Sequence, residues 1–476
     1  MIRALLSRLR GRGGIREVAK VAFPLVIAAI GHGVNLFTDR VMLANYSSDA
    51  MAAAFPAGLS AFTLACIFLG TIGYAGVFVA QYTGAGQPLN VGKTVWQAIF
   101  LALIGGAFNL AAAFFAEEIF LWFGHDDSLI GMEAEYFAIL AGGGVTLLLS
   151  TALSTFWSGR AKTKVIMAVN LIVTLFNIPL NALFIFGTSF TLMGAKIEFP
   201  EMGIAGAAWG TLITGMIGMF IYMIGFFLPS ARRRYGTGSN PFSPDIFRRL
   251  IRFGLPNGIQ LVLELSTFNI FVVLLGKLGV DVLTASTVVM SAYTLAFNPM
   301  IGFGQAASIL VGQAIGAKEI PCAKKAVGNC FLLLLIGCAA MGVIFVGFPE
   351  VIFTLFDLQS AHVRHLSRIM LIFTTFYLLF DALNVLFVNA IKGAGDTRFA
   401  MVSGILLGWA AYAMPCLAAY WLLSGDRAAE YFGREAANSI CVWTLWGISE
   451  AYICLLGLTY LIRYLRGKWQ DMSVIS

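Results

Sequence analysis

The sequence predicts an all-α integral membrane protein with twelve transmembrane helices in two parallel six-helix bundles. Three observations carry that reading. Of the 476 residues, 59% are hydrophobic and 12% charged, with a mean hydropathy of +0.85. Soluble domains carry about 25% charged residues. Apolar runs of the roughly 20 residues needed to cross a bilayer follow one another from end to end, with no polar stretch long enough for a soluble domain. Finally, 24 of the 31 lysines and arginines fall at the two termini and in every second connection between those runs.

The spans are expected at 18–45, 51–81, 93–116, 134–157, 164–187, 203–229, 252–277, 282–314, 324–347, 367–391, 399–423 and 440–463. Span 1 follows the basic segment MIRALLSRLRGRGG. That segment lacks the apolar centre of a cleaved signal peptide and reads as an amphipathic cytoplasmic lead-in, with a short transit peptide as the lesser alternative. Spans 1, 2, 5, 7 and 8 contain Pro24, Pro56, Pro179, Pro256 and Pro299, which should kink them. Spans 3 and 4 are joined by the acidic segment EEIFLWFGHDDSLIGME (117–133), and GGGV (142–145) in span 4 suits close helix packing. Spans 6 and 7 are joined by SARRRYGTGSNPFSPD (230–245), rich in Gly, Pro, Ser and Arg. The basic bias puts both termini and this linker in the cytoplasm. The net charge of +7 therefore reflects topology, not nucleic-acid binding. The seven cysteines form no CxxC pair and no disulfide framework.

The chain also repeats itself. A shift of 232 residues lays Pro24 on Pro256, Asp49 on Asp281, Gly70 on Gly302 and Lys93 on Lys325, with QYTGAG (81–86) over QAIGAK (313–318). A shift of 234 lays SGRAKTK (158–164) over KGAGDTR (392–398), matching Gly159 to Gly393 and Thr163 to Thr397. Each half then holds six spans. Six is even, so the halves share one orientation and are parallel repeats. The expected organisation is an N-terminal bundle at 1–229, a cytoplasmic linker at 230–251 and a C-terminal bundle at 252–476, with a cavity enclosed between two facing bundles.

Six ionisable residues lie well inside spans: His32, Asp39, Arg40, Glu264, Asp381 and Glu450. Such residues are costly in a bilayer and usually face a bundle interior or water. At 1.5 Å per helical residue, Glu264 lies roughly 18 Å from the level of Arg252, and Asp381 roughly 16 Å from Lys392. Two carboxylates on different spans at one depth suit a site that holds a cation or shares a proton. The alternative is that each bonds separately to a neighbour, Gln260 for Glu264 and Asn384 for Asp381. Glu450 is also deep and reads as a structural bonding group. Near the outer end of span 1, Asp39 either snorkels to the interface with Arg40 or offers oxygens to a small cation with Asn177 and Asn181, which share a helix face; the alternative for this group is helix–helix hydrogen bonding. His32 reads as a packing residue. No P-loop, HExxH, paired CxxC or nucleophile elbow is present.

The chain resembles the multidrug and toxic compound extrusion (MATE) transporters over nearly its whole length. The resemblance rests on ordered motifs: FPLVIAAIGHGVNLFTDRVMLA (23–44), GYAGVFVAQYTGAG (73–86), NIPLNALFIFG (177–187), GIAGAAWGT (203–211), GLPNGIQLVLELSTFNIF (254–271), GQAASILVGQAIGA (304–317) and KGAGDTRF (392–399). It is closer to the NorM branch than to the DinF-like branch. The resemblance implies export of organic, often cationic compounds in exchange for inward Na⁺ or H⁺, with no cofactor beyond the coupling ion. It implies that Glu264, Asp381, Asp39, Asn177 and Thr211 serve cation coupling; Asn181 and Gln260, one helical turn from Asn177 and Glu264, are secondary candidates by spacing. DinF-like members carry an aspartate at Asn181, and some NorM-like members carry a cation-contacting tyrosine at Phe297. This sequence departs from both patterns.

The expected protein is therefore a monomeric secondary antiporter of the bacterial inner membrane. Its partners are small organic molecules and lipid, with no nucleic acid and no enzymatic activity. Two rivals are a lipid-linked oligosaccharide flippase of related fold, which would want an arginine-lined cavity, and a membrane-embedded enzyme, which would want a catalytic cluster. The topology is testable by cysteine labelling in a cysteine-free background. Ser239→Cys should be shielded from an impermeant outside reagent in intact cells while Ser128→Cys reacts; labelling at 239 rejects the topology.

Overall fold

The computed structural model describes residues 11–123, 127–192, 195–239, 242–356, 358–424, 430–431 and 433–475. The acidic connection 117–133 and the linker 230–245 each lie partly outside them. Twelve helices among the described residues are long and apolar enough to cross a membrane. They are Ile15–Tyr46, Ser48–Gly84, Pro88–Ala113, Ser128–Ser158, Thr163–Phe186, Gly203–Phe227, Pro244–Lys277, Val280–Gly316, Ile320–Gly347, Ala361–Ala394, Thr397–Leu423 and Ala436–Leu465, numbered here as spans 1 to 12. Each contains or overlaps one expected span.

Several helices run past the expected ends, for local reasons. Span 7 begins at Pro244, eight residues early. Proline is suited to a first helical turn, Asp245 complements the helix dipole there, and its carboxylate pairs with Arg249 one turn on at 2.7 Å. The all-α expectation needs one addition. Between spans 5 and 6, β1 (Thr188–Leu192) and β2 (Ala195–Phe199) form an antiparallel hairpin with Thr188 opposite Phe199 and Leu192 opposite Ala195. TSFTL and AKIEF contain Thr, Phe and Ile, residue types suited to strands. Gly187 enters the hairpin at φ 64°, where an added Cβ would meet Glu201 N at 2.8 Å.

Span 11 is not a uniform α-helix. Residues Gly408–Ala413 form a π turn between Thr397–Leu407 and Met414–Leu423. Pro415 follows two residues on. Its missing N–H and its ring's clash with the preceding turn account for the altered hydrogen-bond ladder.

The described chain divides into two compact units. One comprises residues 1–26 and 260–473, the other 27–259 and 474–476. The division falls inside spans 1 and 7. In the second unit, span 2 presents a file of buried alanines at 50, 53, 57, 61 and 65, which suits close packing where lipid supplies no hydrophobic drive. An aromatic cluster around Phe156 and Phe226, whose ring centroids are 5.1 Å apart, fills this unit near the linker. The linker docks here: Thr237 donates to Phe226 O at 2.7 Å, and Trp96 Nε1 donates to Thr237 O at 3.3 Å. Arg160 lies over the Phe156 ring at 3.5 Å, and burial lowers its guanidinium pKa. In the first unit, the buried carboxylate of Asp396 pairs with Arg463 at 2.7 Å, tying KGAGDTR to the end of span 12.

The repeat seen in the sequence is present in the backbone. Gly86 and Lys318, 232 residues apart, both take positive φ (70° and 59°). Each is followed by the same hydrogen bond, Gln87 N to Tyr82 O at 2.9 Å and Glu319 N to Ala314 O at 2.8 Å. Ala161 and Gly395, 234 apart, also share positive φ. Helix contacts repeat too. A Cβ on Gly70 would meet Gly258 Cα at 2.5 Å, and one on Gly302 would meet Val26 N at 2.7 Å. Both members of the first contact map onto the second by the same 232-residue shift. Likewise Gly159 abuts Gly76 O at 2.5 Å and Gly393 abuts Ser308 O at 2.6 Å.

These backbone approaches set an expected outcome. Gly70→Ala and Gly302→Ala should each destabilise the protein by about 1–3 kcal/mol through overpacking. Gly337→Ala, where an added Cβ meets nothing within 4 Å, should be neutral or stabilising. Thermal unfolding in detergent reads the difference, and equal melting temperatures for all three would refute the close-approach account.

Candidate functional site

Polar clusters occur inside both units. In the second unit, Asp39 comes from span 1, Asn177 and Asn181 from span 5, and Thr211 and Thr214 from span 6. Asn181 Nδ2 donates to Asp39 Oδ1 and, at 3.4 Å, to Asn177 Oδ1. Thr211 donates to Asp39 Oδ2 at 3.4 Å, and Asn177 Nδ2 donates to Thr214 Oγ1 at 3.5 Å. Asn177, Asn181 and Thr214 are almost wholly buried.

This geometry speaks against the snorkelling reading of Asp39. Its carboxylate turns toward spans 5 and 6, whereas the Arg40 guanidinium lies over the Phe55 ring at 5.2 Å. Asp39 is therefore part of a cluster and does not simply follow Arg40 to the interface. Pro179 lies between the two asparagines and removes one backbone donor from that turn. Gly210 makes room: a Cβ there would collide with Asn181 Oδ1. That oxygen is buried and accepts no hydrogen bond. Carboxylate, amide and hydroxyl oxygens are the ligands hard cations take, so the residues present fit a small cation arriving as transported cargo.

In the first unit, Glu264 lies on span 7 and Asp381 on span 10. Gln260, one turn before Glu264, donates to its Oε1 at 2.6 Å. Asp381 is buried and accepts two hydrogen bonds, from Tyr293 OH at 2.6 Å and Asn384 Nδ2 at 2.9 Å. Both intrahelical partners anticipated from the sequence are thus in place. The two carboxylates do not bond directly, but they lie within electrostatic reach of each other. Glu264 is also within such reach of Lys392. A carboxylate has about four acceptor positions, so each retains capacity after these bonds.

Sequence reasoning missed Tyr293 and Thr214. Tyr293 stacks on Phe297 at 5.4 Å and places its hydroxyl on Asp381. The signal was available, because a tyrosine in mid-span needs a partner for its hydroxyl. Thr214, three residues after Thr211, shares its helix face. Glu450 was expected to be bonded, yet its Oε1 accepts no hydrogen bond.

The MatE family model matches residues 24–183 and again 256–407. The chain belongs to the MatE family. The two matches to MatE begin at Pro24 and Pro256, the offset of the repeat; the first contains Asp39, Asn177 and Asn181, and the second contains Glu264 and Asp381. Among curated relatives, the chain is 25% identical over 439 residues to a probable multidrug resistance protein NorM of Synechocystis, covering 90% of this chain and 93% of that protein. It is 27% identical over 412 residues to the multidrug resistance protein PmpM of Pseudomonas aeruginosa, covering 85% and 84%. It is 27% identical over 384 residues to the NorM of Vibrio cholerae, covering 80% and 82%. A solved structure of an outward-facing multidrug resistance MATE transporter superposes with a TM-score of 0.82 at 15% identity, covering 97% of both chains. A crystal structure of MATE in the straight conformation superposes with a TM-score of 0.79 at 15% identity, covering 97% of this chain and 98% of that one.

Proposed function

We propose that this MatE-family protein is a multidrug efflux antiporter that exports organic, often cationic compounds in exchange for inward Na⁺ or H⁺. The observation that carries the coupling reading is the pairing by depth and charge of Glu264 and Asp381, each held by neutral donors. An inward cation neutralises them, and neutralisation shifts the balance between two access states. Asp39, with Asn177, Asn181, Thr211 and Thr214, supplies a second cation-binding cluster in the other unit. Gln260 acts on Glu264 by orienting it. The names of the relatives support multidrug export, and the helical spans support a multi-pass protein of the bacterial inner membrane. The Lys/Arg bias supports cytoplasmic termini.

The flippase reading is disfavoured because 24 of 31 basic residues sit at the termini and on one set of connections. The protein acts as a monomer and needs no cofactor beyond the coupling ion.

Efflux from proteoliposomes under separately imposed Na⁺ and pH gradients tests the coupling. Glu264→Gln and Asp381→Asn keep size and hydrogen-bonding capacity but cannot ionise. Each should lose gradient-driven efflux by roughly tenfold or more. The double variant should be no worse than either single one, as expected of residues acting as a unit. Asp39→Asn should also impair efflux or change its ion dependence. Wild-type rates in Glu264→Gln under both gradients would reduce that carboxylate to a structural group.

A further inference from the structure

Span 12 carries a fourth intramembrane carboxylate, Glu450, that the coupling scheme does not use. Its Oε1 is buried and accepts no hydrogen bond. One turn earlier, the indole N–H of Trp446 is buried without an acceptor. The i, i+4 spacing puts the two on one helix face, about 6 Å apart along the axis. Gly447, between them in sequence and three residues before Glu450, lies beside this face; an added Cβ there would meet no atom within 4 Å. This side of the helix therefore bears an unpaired acceptor and an unpaired donor, with open space beside them at Gly447.

Its surroundings are aromatic. Trp443 stacks on Phe373 of span 10 with centroids 6.0 Å apart and planes at 19°. Tyr377, one turn on from Phe373, is within electrostatic reach of Glu450, Tyr412 and Tyr452. The π turn of span 11 presents Tyr412, which stacks on Tyr452 at 4.7 Å. Phe271 packs edge-on against Trp446 at 5.9 Å.

A buried carboxylate oxygen without a donor is costly, and so is a buried N–H without an acceptor. Two such groups of opposite kind, beside the open space at Gly447, are complementary to one molecule bearing a charged donor and an acceptor. Aromatic faces nearby favour a cation within about 6 Å. We infer that Glu450, Trp446 and Gly447 form a recognition site for organic amines. The protonated N–H of the ligand donates to Glu450 Oε1. An oxygen of the ligand roughly one helical turn away accepts from Trp446 Nε1, and the ligand's ring lies over Gly447. This rests on the export reading above and divides the labour of the first unit. Glu264 and Asp381, already holding protein donors, answer to the ion, while Glu450 answers to the charge of the substrate.

The test is binding to the purified full-length protein in detergent. Rhodamine 6G is a cation with N–H groups and an ester carbonyl; tetraphenylphosphonium is a cation with neither. Glu450→Gln should weaken rhodamine 6G binding by about tenfold or more, the worth of a hydrogen bond to a charged group. Trp446→Phe should weaken rhodamine 6G several-fold and leave tetraphenylphosphonium unchanged. Gly447→Leu should weaken both by filling the space beside Glu450. A wild-type rhodamine 6G affinity in Glu450→Gln overturns the inference while leaving the export reading intact. A second measurement uses only the wild-type chain and does not depend on a variant folding. Carbodiimide modification of Glu450, read by mass spectrometry, should be suppressed by saturating rhodamine 6G. Equal modification with and without the dye overturns the site. Failure of the wild-type chain to bind either cation counts against this inference and the export reading together.

Discussion

A polar side chain inside a membrane span must find its partner within the protein, because hydrocarbon offers none. That constraint organises this structure. Asp39 is held by Asn181 and Thr211, Glu264 by Gln260, and Asp381 by Tyr293 and Asn384. All these hydrogen-bond donors are neutral, so the bonds orient the carboxylates without themselves neutralising them. A permanent salt bridge would satisfy the charge and make it insensitive to an arriving ion. Asp396 shows the contrast: paired with Arg463 at the end of span 12, it is a structural charge.

Close helix approach is what makes such partnerships geometrically available. Gly210 leaves room for the Asn181 amide, and the Gly70–Gly258 and Gly302–Val26 contacts bring backbones together in the two units. The repeat supplies this scaffold twice but furnishes it differently. The position equivalent to Glu264 in the first half is His32, and the first-half cluster is instead built on Asp39 with Asn177 and Asn181. One scaffold thus carries two chemically distinct polar sites.

The spans and the repeat were legible in the sequence because both depend on local pattern: apolar runs of fixed length, and motifs recurring at 232 and 234 residues. The partnerships of Gln260 with Glu264 and of Asn384 with Asp381 were legible for the same reason, being one helical turn long. Tyr293 was not, because its bond to Asp381 joins residues 88 apart. The hairpin at 188–199 lay in a connection too short and mixed to stand out against the long apolar runs. The π turn in span 11 is a response of the backbone to Pro415 that composition does not announce. Glu450 was misread as a bonded group because sequence shows which partners are near along the helix, not whether they turn toward the carboxylate.

The central claim is that ion and substrate move in opposite directions through reversible neutralisation of the intramembrane carboxylates. Its most direct test starts from the substrate side, with no ion gradient imposed. A rhodamine 6G gradient across proteoliposomes should drive Na⁺ or H⁺ uphill in the opposite direction. That ion movement should vanish in Glu264→Gln and Asp381→Asn. Dye movement by the wild-type protein unaccompanied by flux of either ion would contradict the account.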